Sequence, residues 1–74
     1  MKRAGDVVRS AQGLAIVRCP DDDHPDIGAE VVDERLTDVG RVVDVFGPVS
    51  KPYLAVTPDD ATPAELLGAK LYVR

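Results

Sequence analysis

Apolar residues fall in six short bursts separated by Gly, Pro and Asp: Val7-Val8, Leu14 to Cys19, Val31-Val32, Val39 to Val49, Tyr53 to Val56 and Leu71 to Val73. Branched residues, valine above all, dominate them, and valine suits a pleated, half-buried surface better than a helix. Six short strands at close spacing in a small domain predict an all-β fold, a small closed six-stranded barrel, because closure leaves no unpaired edge. One segment departs from the pattern. Thr62-Pro63-Ala64-Glu65 places a capping residue before a proline, with a glutamate three positions on. That capping box predicts one helical turn, ended by Gly68, before the last strand.

The stretch Gly40 to Tyr53 carries the most information. It reads as a strand, an abrupt Gly47-Pro48 break, a short basic corner at Lys51 and a return into a second strand. Period two along Arg41–Phe46 places Val43 and Val45 on one face and Val42, Asp44 and Phe46 on the other. The same alternation pairs Leu54 with Val56, leaving Tyr53 and Ala55 opposite. It also pairs Leu71 with Val73, leaving Lys70, Tyr72 and Arg74 opposite. If the valines and leucines fill the barrel, Phe46, Tyr53 and Tyr72 all face outward, where aromatic side chains make effective docking anchors. The plainer alternative turns Phe46 inward at a bulge and leaves the tyrosines covering the barrel rim.

Length and charge narrow the function. A single domain spanning residues 1–74 buries about 60% of the surface of its unfolded chain, so its stability is thin. It has little room for an enclosed substrate pocket, which favours a subunit or adaptor over an enzyme with a small-molecule substrate. Ten Asp and three Glu outnumber six Arg and three Lys, for a formal charge of −4. An acidic domain repels phosphate, which argues against sequence-independent RNA affinity. The Asp excess, concentrated in loops, suits a salt-rich cytoplasm in which self-repulsion is screened. No signal-peptide core or membrane-length apolar run occurs, so a cytoplasmic protein without membrane contact is predicted.

Candidate chemistry is sparse. The loop Pro20 to Asp26 gathers four aspartates and His24, but its spacing matches no calcium loop and lacks a closing glutamate, so no metal or cofactor is predicted. Cys19, the sole cysteine, ends an apolar run and reads as a small buried hydrophobe. Asp44 reads as an outward carboxylate paired with Arg41 or a neighbouring strand. No nucleophile–base set is recognisable.

The run Gly-Arg-Val-Val-Asp-Val-Phe-Gly-Pro-Val-Ser-Lys-Pro-Tyr (40–53), with Gly-Ala-Lys-Leu-Tyr-Val-Arg (68–74), resembles the core of the archaeal H/ACA ribonucleoprotein subunit of the GAR type. Gly28 to Glu34 is similar to that family's third strand. The resemblance implies a barrel like those of translation factors. It also implies a non-catalytic subunit that docks on the pseudouridine synthase catalytic subunit and promotes RNA-guided rRNA pseudouridylation and substrate turnover. Guide RNA would then be met only indirectly, through the particle. The glycine–arginine tracts of the eukaryotic forms are missing from this sequence, and its acidity points to a halophilic source. The contact surface expected on this basis comprises Val42, Phe46, Gly47, Pro48, Val49, Lys51, Pro52, Tyr53, Lys70 and Tyr72. A shorter pattern, Val31-Val32-Asp33 followed by Val39 to Val45, also resembles the PRC-type barrel of ribosome-maturation factors. That keeps open an RNA-binding or PRC-type barrel acting as a ribosome-assembly factor. It does not predict Phe46-Gly47-Pro48 or Lys51-Pro52-Tyr53.

Overall fold

The computed structural model describes residues 2–60 and 62–74. Six strands, β1 (Lys2–Ala11), β2 (Leu14–Arg18), β3 (Glu30–Val32), β4 (Asp38–Phe46), β5 (Tyr53–Pro58) and β6 (Lys70–Val73), close into a barrel in the order β1-β2-β5-β4-β3-β6. Every neighbouring pair is antiparallel. The all-β expectation holds, and the six bursts map onto the six strands.

Closure depends on β1, the longest strand. Its first half, Lys2 to Asp6, pairs with β6, and its second half, Asp6 to Ala11, pairs with β2. A strand shared this way must coil, and register shifts at Arg3/Gly5 and Val7/Arg9 supply the coiling. Gly5 has φ +147° and lies against the next strand: a Cβ there would fall inside the van der Waals shell of the Arg18 carbonyl oxygen. Only glycine meets both demands.

The interior is aliphatic. Val7, Val17, Val31, Val42, Leu54, Val56 and Leu71, with Ala4, Ala15, Cys19 and Val39, form one cluster. No polar side chain is buried among the described residues. No aromatic ring enters the core; β-branched side chains fill so small a barrel with little rotamer loss.

The turn before β6 is a 3-10 turn, Pro63–Leu66. Proline occupies its first turn as expected, but the capping box does not close. Thr62 is extended and its hydroxyl makes no cap; the Glu65 N–H donates instead to the Thr62 backbone carbonyl at 3.0 Å. Four residues are too few for the reciprocal side-chain bonds to offset their ordering. The segment is held by β1 instead: Gly68 N–H donates to the Val7 carbonyl and Val7 N–H to the Ala69 carbonyl, both at 2.9 Å. Leu66 packs on the core.

Because adjacent strands alternate in direction, one end of the barrel gathers the start of β1, the ends of β2, β4 and β6, and the starts of β3 and β5. That end carries the β4–β5 hairpin and the acidic loop. The opposite end carries the β1–β2 turn, the β3–β4 turn and the 3-10 turn.

Candidate functional site

β4 and β5 pair from Gly40↔Pro58 to Phe46↔Tyr53, and the register slips once, between Val42 and Asp44. The extra residue, Val43, is pushed outward and is 40% exposed, while Val42 before it is fully buried. Beyond the slip the alternation returns to the expected phase. Val45 packs on the core and Phe46 faces out beside Tyr53. A single bulge therefore makes the expected faces wrong for Val42 and Val43 and right for Asp44, Val45 and Phe46. Asp44 does not pair with Arg41. Its Oδ1 accepts the N–H of Val45 at 2.8 Å, occupying a backbone donor where the ladder is disturbed.

Phe46 and Tyr53 stack with ring centroids 5.7 Å apart and planes inclined by 22°. Both rings are half-buried. Gly47, at φ +89°, makes room for them: a Cβ there would lie 2.7 Å from Cδ2 of Tyr53. The hairpin then carries Pro48, Val49, Ser50 and Lys51 into solvent, with Val49 89% exposed. A shallow groove of about 200 Å³ separates it from Asp22 and His24 of the acidic loop. In that loop the carboxylate of Asp21 accepts the Asp23 N–H at 2.9 Å, and Asp23 pairs with Lys2, which lowers its pKa.

Two residues of the expected contact surface are corrected. Val42 is in the core for the reason given. Pro52 is buried, its carbonyl accepting the Cys19 N–H at 3.0 Å, and it anchors the hairpin to β2. Phe46, Gly47, Pro48, Val49, Lys51 and Tyr53 come together at one strand end. Lys70 and Tyr72 do not join them. They lie on β6, in register with Asp6 and with Arg3 and Val32, on another wall of the closed barrel.

The outer wall beside the aromatic pair holds residues that period-two reading misses. Going round the barrel from Phe46, the paired positions are Tyr53, Arg18, Asp6 and Lys70. In the next tier Ile16 and Ala55 pair with each other and are almost covered, at 4% exposure each. The bulge residues Val8 and Val43, exposed at 45% and 40%, flank this tier. The doublets Val7-Val8 and Val42-Val43 were the available signal, since two adjacent apolar residues within a one-sided strand are what a bulge accommodates.

A sequence-family model described as "Gar1: Gar1/Naf1 RNA binding region" matches residues 1–74. No curated protein matches the chain. Among solved structures, "Structure of the Gar1 domain of NAf1" superposes with a TM-score of 0.73 at 19% identity, covering 97% of this chain and 79% of the other. At that identity the likeness speaks for the fold.

Proposed function

Because the chain belongs to the Gar1/Naf1 family, we propose that it is a non-catalytic subunit of an H/ACA ribonucleoprotein, working in the cytoplasm and docking on the pseudouridine synthase. In this reading it promotes guide-directed isomerisation of uridine in rRNA and release of the product. The family match also favours this over the PRC-type alternative.

The observation that carries the proposal is the stacked Phe46–Tyr53 pair, half-exposed beside a nearly bare Val49. A stacked pair loses little rotamer freedom on docking, and the turn beside it offers an apolar knob to a partner pocket. The 4% exposed Ile16 and Ala55 make a firm floor next to it. Lys51 at the hairpin orients the approach. Lys70 and Tyr72, on another wall, are left out of the contact.

Truncating either aromatic should weaken binding to the synthase by about 2 kcal/mol, roughly thirtyfold. Calorimetry or surface plasmon resonance with Phe46→Ala and Tyr53→Ala measures it, with circular dichroism to verify the fold. Folded variants that bind the synthase as tightly as the native chain would falsify this interface.

A further inference from the structure

The acidic total conceals a local reversal of charge. Beside Arg18, on the side away from the hairpin's aromatic rings, lies an open cleft of about 330 Å³. Three cations line it from three separate parts of the chain: Arg3 on β1, Arg18 on β2 and Lys51 on the β4–β5 turn. Its one carboxylate, Asp6, is already engaged by Arg3 at 2.7 Å, an ion pair that raises the Arg3 pKa further. Neither Arg18 nor Lys51 has an ion-pair partner among the described residues. Gly5 and the buried Cys19 contribute to the wall without bulky side chains.

We propose that this cleft is a phosphodiester site, holding the backbone of single-stranded RNA against Arg18 and Lys51, with Arg3 beside them. The inference rests on family membership and not on docking to the synthase. Repulsion from net charge acts over the whole surface and is screened within about 8–10 Å at ordinary ionic strength. Inside that distance Arg18 and Lys51 lie nearest a phosphate held in the cleft, and the carboxylates they must outweigh are Asp21 and Asp23 at its Cys19 end. An arginine also offers a planar fork suited to phosphate oxygens.

An acidic peptide could satisfy the same cations, but the surroundings favour RNA. Arg18 is in register with Tyr53, which stacks on Phe46, so cations and aromatic faces adjoin along one outer row. That is the combination single-stranded nucleic acid uses, with phosphates on cations and bases within reach of rings. The carboxylates of a peptide gain nothing from the rings, whereas every base has a face to stack on them.

The test is an anisotropy titration of the full chain with a fluorescein-labelled oligouridylate of about 12 nucleotides, repeated over a range of salt. The double variant Arg18→Ala/Lys51→Ala should bind roughly tenfold more weakly, and its log K against log salt slope should be shallower by about 1.4, two phosphates at about 0.7 each. Arg18→Lys in the native background should keep the slope, because it keeps the charge. Arg41→Ala, at a cation among Glu30, Asp38 and Asp59, should leave both quantities unchanged. The proposal is overturned if the native chain shows no saturable binding at low salt, or if the double variant retains affinity and slope. It is equally overturned if a labelled oligoglutamate binds more tightly than the RNA and it is that binding which Arg18 and Lys51 support. No synthase is present in the measurement, so its failure leaves the docking proposal standing, and failed docking leaves this one.

Discussion

Cys19 lies in the aliphatic cluster at 1% exposure, and burial pushes its thiol pKa up, with the nearby Asp21 and Asp23 carboxylates adding to the shift. At neutral pH the thiolate is therefore scarcer than in a free cysteine, and it is shielded as well. Native protein should react with a disulfide reagent at least about a hundredfold more slowly than protein in urea. Comparable rates in the two states would show that the core opens at Cys19. The sign of the pH effect follows from the raised pKa. The folded form holds its proton longer than the unfolded one, so this contribution is intact below the ordinary thiol pKa and is lost as pH rises through the folded value. Burial of Cys19 was legible because it ends an apolar run. The place of Val42 was not, since one inserted residue inverts a face and nothing in Val42-Val43 says which valine is extra. Arg18 was missed because it looks like any strand-end cation until the register sets it beside Tyr53.

At the scale of elements, the six bursts were readable because branched residues dominate them and Gly, Pro and Asp recur between them. The length of β1 was not. Only Val7-Val8 marked it, while the flanking Lys2 to Asp6 and Arg9 to Ala11 are strand by virtue of their partners on β6 and β2. Propensity gives way there to pairing. The hinge of that double duty is Gly5. Gly5→Ala adds strain at a positive φ and a clash with the Arg18 carbonyl, together about 3 kcal/mol. A domain this small has few such increments to lose. Urea unfolding should therefore show a sharply lower midpoint or no folded baseline. A native midpoint would mean that β1 tolerates a different coil. The capping box shows the converse error. Its residues sit at the right spacing, but a single 3-10 turn is positioned by its backbone bonds to Val7 and not by its own cap.

For the whole molecule, closure was foreseeable, but which residues share a wall was not. Register around a six-stranded ring separated Tyr72 from Phe46 and placed Lys70 opposite Asp6. The acidic total has its consequence at this scale as well. With a net charge of −4 and ion pairs that, among the described residues, are all half-exposed, added salt screens more repulsion than attraction. The melting temperature should rise between about 0.1 M and 2 M potassium chloride, where the Debye length shrinks from roughly 10 Å to below 3 Å. A fall would show that the exposed ion pairs outweigh the repulsion.

The pairing of Lys2 with Val73 sets the two chain ends side by side, at the same barrel end as the β4–β5 hairpin. Any polypeptide joined to either end starts its path at that end, close to Arg3 of the cation-lined cleft and across the barrel mouth from the aromatic pair. An affinity handle or fluorophore fused there would stand over the end that carries the cleft and the hairpin, whereas one inserted at Gln12-Gly13, in the turn at the far end, would leave both clear. The geometry that closes the barrel thus also determines where the molecule can be tethered without obscuring its working face.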